Sequence, residues 1–344
     1  MEKPQIQAST GLDKDILTHS LFLTGPTAVG KTEVSVVIAK QFNAEVISVD
    51  SMQVFKGLEI ASAKPRMAER KDAPHHLIDC ANLQEPYDTA RFLREAKTAA
   101  ADVISRKKKV IFCGGTGLYF QALLYGVGEA PCSNHDLREE LNKRPLEELV
   151  IELKKLDPNS YHSIDLQNKR RVVRALEVTR LTGKPFVSFR SNWKFRTDQE
   201  IPTIFCLVRE RDDLKNRINC RVDEMIHAGL VQEAKDFYNQ EGTSTSLAGK
   251  IIGYRQLQNY LAGMESLEAA KERIKAATRQ YSKRQMTWFR NQLPITEIPW
   301  SPEKSAQEIA FQIGDLWHSR PLNKLQNAGM GKIESTSNYK KHQN

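Results

Sequence analysis

Gly25, Pro26, Thr27, Ala28, Val29, Gly30, Lys31 and Thr32 reproduce the pattern G-x-x-x-x-G-K-[ST] without a mismatch. The glycines let successive backbone N–H groups turn toward one centre, and a helix beginning at the lysine adds its positive N-terminal end. Such a loop cradles a diphosphate or triphosphate. Lys31 would reach the terminal oxygens, and the Thr32 hydroxyl would hold Mg²⁺. The flanking sequence has the required context: residues 20–23 form an apolar run that reads as a strand. Residues 31–41 carry Val34, Val37 and Ile38 at helical spacing.

Other residues could complete a reaction centre. Asp50 closes a second strand-like run, residues 45–49, and is followed by Ser51, Met52 and Gln53. A carboxylate at that strand end is either a Mg²⁺ ligand or a general base beside the phosphate site. No Gln or Glu is recognisably placed to activate a water and no arginine finger declares itself, so a simple ATPase is poorly supported. Gly114 to Gly117 follow a third strand, residues 110–113; glycine serves a tight turn there, and Thr116 would point into the same crevice as Asp50. Arg217 and Arg221 stand one helical turn apart. They either pair with Asp213 or Glu224 at the surface or neutralise a departing phosphate. His75, His76 and Asp79 hint at a metal, but no further ligand follows at suitable spacing, which favours a structural role.

These groups need a scaffold. Strands alternating with helices, including a long helix over residues 89–106, argue for a parallel sheet with helices on both faces, and ligands bind at the C-terminal strand ends of such sheets. The rhythm breaks at residue 130. Residues 131–199 read as a helical insertion with helices at 136–142, 146–156 and 168–182. A strand at 204–207 returns to the sheet, and from 211 the chain is helical, ending in a long helix over 266–289. The resulting division is a flexible arm (1–18), a core (19–130 and 200–321), the insertion (131–199) and a disordered tail (322–344). No run approaches a membrane span, the N-terminus lacks a signal-peptide core, and five scattered cysteines suit a reducing cytoplasm.

A formal charge of +9 is compatible with a polyanionic partner. Lys169, Arg170, Arg171 and Arg174 begin one helix of the insertion, and Arg138 lies on another. Residues 271–290 hold seven basic side chains and one acid, Glu272. Lys275, Arg279, Lys283 and Arg290 share a narrow sector at 100° per residue. That sector is either a solvated face or, given the interleaved Tyr281, Trp288 and Phe289, a surface for unpaired bases and phosphates.

Seven ordered stretches together resemble the tRNA dimethylallyltransferases. They are residues 25–32 (GPTAVGKT), 50–57 (DSMQVFKG), 73–79 (APHHLID), 114–119 (GGTGLY), 170–178 (RRVVRALEV), 253–257 (GYRQL) and 278–290 (TRQYSKRQMTWFR). The resemblance implies an α/β fold: a P-loop parallel-sheet core with helices on both faces, plus a helical insertion domain that grips a tRNA anticodon stem-loop. It implies transfer of a dimethylallyl group from dimethylallyl diphosphate to N6 of adenosine 37, releasing pyrophosphate. The loop 25–32 would then hold a prenyl diphosphate and not ATP, with Mg²⁺ at Thr32.

By the same resemblance Asp50 accepts an N6 hydrogen, Thr27 touches the bridging oxygen, and Arg217 stabilises the leaving group. The tRNA would meet Asp50, Ser51, Met52, Gln53 and Thr116. It would also meet Arg138, Arg170, Arg171 and Arg174 of the insertion, Lys250, Gly253, Tyr254 and Arg255 farther on, and Lys283, Arg284, Gln285 and Arg290 of the last long helix. A cytoplasmic monomer that binds no membrane is expected. Phe55 stands where the family commonly has Tyr, and Ala61-Ser62 replaces Gly-Thr. No Cys/His zinc finger follows, which suits a bacterial-type enzyme. The nearest rival is an adenylate isopentenyltransferase acting on free AMP, ADP or ATP, against which the basic insertion speaks. A phosphate-loop kinase or regulatory nucleotide-binding module is a more distant one.

Overall fold

Apolar runs too short for buried helices become the strands of one sheet. In the computed structural model, which describes residues 11–128, 130–131, 133–189, 202–240 and 245–318, these are β1 (Ser20–Thr24), β2 (Ala44–Val49), β3 (His75–His76), β4 (Lys109–Gly114), β5 (Ile204–Val208) and β6 (Ile295–Pro299). Their order is β3-β2-β4-β1-β5-β6 and every pairing is parallel. All residues of β1 and β2 are buried, as expected for strands covered on both faces.

Alternation along each strand divides the apolar side chains between two cores. Phe22, Ile47, Val49 and Phe112 pack with Phe92, Leu93 and Ala96 of the helix Thr89–Ser105 and with Phe120 and Leu123 of the helix Gly117–Tyr125. Leu21, Leu23, Val46 and Ile111 face the other way. They meet Val34 and Ile38 of the helix Lys31–Phe42 and Ile309, Ala310 and Ile313 of the helix Ala306–His318. All strand C-termini therefore point to one rim, where the phosphate loop, Asp50 and Gly114 emerge.

A third core sits over that rim. Val54, Phe55 and Leu58 from the loop after β2 pack with Val222, Leu230, Phe237, Tyr254, Leu257 and Ile274. These come from the helices Arg211–His227, Leu230–Asn239, Tyr254–Leu261 and Leu267–Gln292. The insertion carries a fourth core of its own, including Leu141, Leu149, Leu153, Val172 and Leu176. Its helices are His135–Lys143, Leu146–Leu156, Pro158–Ser163 and Lys169–Thr182. Asn168, at the expected start of the last of these, is its N-cap and accepts from Arg171 N–H.

Two expectations need correction. The arm read over residues 1–18 is not loose from Gly11 onward. Leu12, Ile16 and Leu17 are buried in the first core, and Leu12 N–H donates to Leu123 O at 2.7 Å. Nor is the chain wholly helical after 211: it returns to the sheet as β6 and closes with Ala306–His318. Strand β6 is an edge strand with only two aliphatic residues, Ile295 and Ile298, among its five, so its apolar content is too low to reveal it. Residues 1–10, the tail 322–344 and the end of the insertion lie outside the described residues.

Candidate active site and nucleic-acid interface

The phosphate loop is shaped by what presses on it. Gly30 has φ of 105°, and a Cβ there would come within 2.4 Å of the Trp300 ring, so only glycine fits. Lys31 Nζ donates to the carbonyls of Gly25 and Pro26, both at 2.9 Å. Burial draws the Lys31 pKa down to about 8, with the charge of Arg221 acting in the same sense and Asp50 opposing it. Cys113 lies beside it, and burial pushes that thiol up to about 11. The lysine is therefore a poorly compensated cation that an anion would stabilise.

Across the crevice stands Asp50. Its Oδ1 accepts from Met52 N–H at 2.8 Å and Gln53 N–H at 3.3 Å, a tight Asx-type turn that fixes the carboxylate beyond the β2 strand end. Ser51 N–H donates to Thr116 Oγ1 at 3.0 Å, tying this turn to the Gly114–Gly117 turn after β4. Thr116 is thus where the sequence placed it, though its hydroxyl is already engaged. Gln53, expected to meet RNA, instead accepts from Ser48 Oγ at 2.8 Å and donates to Ala63 O at 3.3 Å. Its amide holds the loop after β2.

Three arginines complete the charge pattern. Arg217 Nε donates to Ala28 O at 2.9 Å, which places its guanidinium at the phosphate loop and not in a surface pair with Asp213 or Glu224. Arg209, which sequence reasoning missed, donates to Val29 O at 2.9 Å and stacks on Trp300 at 3.8 Å. Its position one residue beyond a strand C-terminus is the signal that would have found it. Arg221 is half-buried, and burial lowers its pKa, with Asp50 and Glu224 opposing. Among the described residues no hydrogen bond or ion pair within bonding distance occupies that guanidinium, so it remains open to an anion.

His75, His76 and Asp79 are engaged in structural contacts, the role the sequence favours for them. His76 Nε2 meets Glu45 at 2.7 Å, His75 Nδ1 meets Ala73 O at 2.7 Å, and Asp79 binds Lys64 at 2.5 Å and Arg70 at 3.1 Å. Among the described residues no group of three His, Cys, Asp or Glu could hold a metal ion. A cation at the phosphate loop would accordingly depend on the Thr32 hydroxyl and on ligand oxygens.

The basic residues of the insertion separate into two kinds. Arg138 and Arg174 both bind the fully buried Glu177, at 2.9 and 2.6 Å, and Glu177 also accepts from Asn134 N–H. That carboxylate, missed in the sequence because it hides among the basic residues of the same helix, locks the insertion together. Arg170 and Arg171 are exposed, Arg171 with a loose 3.7 Å contact to Asp165. Lys250 is exposed, and its pKa is drawn down by partial burial and then by the charges of Arg170 and Arg138.

On the long helix the expected basic sector divides in the same way. Lys275 pairs with Asp223 at 3.0 Å and Arg279 donates to Asn219 at 2.7 Å, both within helix packing. Lys283 and Arg284 remain exposed and, with Thr287, Trp288, Asn291 and Gln292, line an open pocket of about 330 Å³. Arg290 is exposed but bound to Glu297 at 2.7 Å. Two residues expected at the RNA are interior. Gln285 is buried against the phosphate loop, and Tyr254 is fully buried with its hydroxyl on Glu233 at 2.9 Å. Gly253 is a buried helix cap against Leu230, whereas Arg255 is exposed. Glu233 also accepts from the N–H groups of Glu59, Ile60 and Ala61, so it shapes the loop beyond Asp50.

The family model described as IPP transferase matches residues 53–292. A protein of Anoxybacillus flavithermus named tRNA dimethylallyltransferase is 43% identical over 301 residues, covering 86% of this chain and 96% of its own. The solved tRNA isopentenylpyrophosphate transferase of Bacillus halodurans is 36% identical with a TM-score of 0.62, covering 86% of this chain and 95% of its own. A eukaryotic dimethylallyltransferase solved acting on tRNA is 27% identical with a TM-score of 0.72, covering 89% and 81%.

Proposed function

The chain belongs to the IPP transferase family, and on that premise we propose that it transfers a dimethylallyl group from dimethylallyl diphosphate to N6 of adenosine 37 in the anticodon loop of tRNAs. The observation that carries this reading is the uneven charge of the crevice. Lys31, Arg217 and Arg221 gather around the phosphate loop, and one acid, Asp50, faces them from the neighbouring strand end.

That arrangement suits the chemistry. The N6–C1 bond forms while the C1–O bond breaks, and the negative charge grows on the departing pyrophosphate. Lys31, the loop amides, Arg217 and Arg221 stabilise that charge. Thr27, within the loop, would touch the bridging oxygen. Asp50 accepts the N6 proton, raising the nucleophilicity of an amine whose lone pair is delocalised into the ring. The Thr32 hydroxyl would hold Mg²⁺ together with the substrate, and the ion would supply charge neutralisation. The adenine must leave its stack, a cost of about a few kcal/mol. Arg170, Arg171 and Lys250, with Lys283, Arg284 and Arg255, offset it by gripping the stem-loop phosphates. Arg138 and Arg174 support that surface through Glu177. A cytoplasmic monomer belongs to this reading as a proposal; among the described residues no helix is long and apolar enough to cross a membrane.

The test is to incubate the protein with Mg²⁺, dimethylallyl diphosphate and an anticodon stem-loop carrying adenosine 37, then weigh the digested nucleosides. A gain of one C5H8 unit on that adenosine is expected. The same gain on free AMP or ATP, with none on RNA, would instead identify an adenylate isopentenyltransferase.

A further inference from the structure

Gln285 sits on the long helix between the exposed Lys283, Arg284 and Thr287, yet only 7% of its own surface is exposed. Its side-chain amide spans two loops. Oε1 accepts the Thr27 N–H of the phosphate loop at 2.9 Å, and Nε2 donates to Gly115 O at 2.9 Å. A Cβ at Gly115 would lie 2.5 Å from that Nε2 and 3.8 Å from Lys31 Nζ, so the glycine is what lets the amide come so close. One residue on, Thr116 N–H donates to Val49 O at 3.1 Å and Thr116 Oγ1 accepts from Ser51 N–H, beside Asp50.

A continuous hydrogen-bonded line therefore runs from the loop that binds the leaving group to the turn that carries the carboxylate. Gln285 is the only side chain in that line contributed by the long helix. Both loops end strands that are paired in the sheet but distant in sequence; Thr24 Oγ1, donating to Gly114 O at 3.1 Å, ties the strand ends, and the Gln285 amide ties the loops beyond them. Buried amides with both functions engaged fix geometry at a fraction of an ångström, and displacement of about 1 Å can cost about 10²-fold in rate.

We propose that Gln285 is a positioning residue that holds the phosphate loop in register with the Asp50 turn, and not an RNA contact. This rests on the reading of the loop as a diphosphate site and of Asp50 as the acceptor. The Thr27 amide it orients is one of the donors that a diphosphate would meet, so the loss of Gln285 acts on diphosphate binding as well as on turnover.

The experiment compares the wild type with Gln285→Met, which keeps length without polarity, and Gln285→Asn, which keeps polarity but is one methylene too short to bridge. Calorimetric titration uses Mg²⁺ with inorganic pyrophosphate, and separately the stem-loop. Both variants are expected to bind pyrophosphate about tenfold more weakly and to turn over about 10- to 100-fold more slowly. Their stem-loop affinity should stay within about twofold of wild type, with stoichiometry near one reporting the folded fraction. Unchanged pyrophosphate affinity overturns the proposal, as does wild-type behaviour of Gln285→Asn. Weaker stem-loop binding with intact pyrophosphate affinity would make Gln285 an RNA contact instead. Failure of the wild type to prenylate the stem-loop would sink the broader functional reading alone, because the pyrophosphate titration still decides the role of Gln285.

Discussion

The two rims of the sheet gather similar side chains to opposite ends. At the N-terminal rim Glu45, with 2% of its side chain exposed, takes Arg106, Lys108 and His76 around a single carboxylate. Those partners hold its pKa far below the ordinary carboxylate range, Arg106 most strongly. The charges there are closed on one another. At the C-terminal rim Lys31, Arg217 and Arg221 have, among the described residues, backbone carbonyls or nothing as close partners, and burial pulls the Lys31 and Arg221 pKa values down. An uncompensated cation cluster is tolerated only where binding or catalysis needs it. Residue type alone does not distinguish the rims; the presence of a buried acid does.

Breaking the open rim should have the largest effect on chemistry. Asp50→Ala is expected to lose about 10²- to 10⁴-fold in turnover while the stem-loop affinity, read by filter binding, is kept. Turnover at the wild-type rate would remove Asp50 from proton transfer. Next, Arg221→Ala should lose about 10²-fold in turnover with little loss of thermal stability, since the wild-type guanidinium has no close partner to forfeit. A large drop in the unfolding midpoint would mean that this arginine is structural after all.

At the closed rim the expectation reverses. Glu45→Gln should destabilise the fold by about 3 kcal/mol, the low end for a broken buried pair because Arg106 and Lys108 can rehydrate. Turnover per folded molecule should not change. The folded-state pKa of Glu45 is depressed, so its stabilisation is full above the ordinary value of 4.5 and fades as pH falls below it. Denaturant titrations should therefore bring variant and wild type together on acidification; a constant gap would show that Glu45 stabilises by packing. The smallest effect belongs to the RNA surface. Arg170→Ala with Lys250→Ala should weaken stem-loop binding several-fold and shrink its salt slope by about 0.7 per lost phosphate contact. Arg138→Ala, which strips one of its two arginine partners from Glu177, should reduce the stability of the insertion instead. Equal salt slopes for the double variant and wild type would place the RNA elsewhere.

The limits of sequence reading follow the same line. Strands β1, β2, β4 and β5 and the helix Lys169–Thr182 were legible because burial on two faces, or on one stripe, imposes an apolar period. Strand β6 escaped because an edge strand need not be apolar, and residues 11–18 escaped because three apolar side chains over six positions look like noise until they meet Leu123. Basic residues were the least legible. Lys275, Arg279, Arg138 and Arg174 read like Lys283, Arg284 and Arg170, yet the former four are committed to Asp223, Asn219 and Glu177.

The sequence by itself determined the local chemistry. Glycine spacing, a lysine and a threonine at a helix start dictate a phosphate loop whatever surrounds them, because its ligands are the backbone amides of consecutive residues. Asp50 at a strand end was placed by the same short-range logic, whereas the contact of Arg217 with Ala28 O spans 189 residues and was set by packing. Tertiary structure alone decided which polar groups are spent internally. Tyr254 on Glu233, Gln53 on Ser48 and Ala63, and Gln285 between Thr27 and Gly115 are all set by partners 5 to 258 residues away. A side chain's freedom to meet a ligand depends on whether a distant partner has already satisfied it, and that partner is chosen by packing.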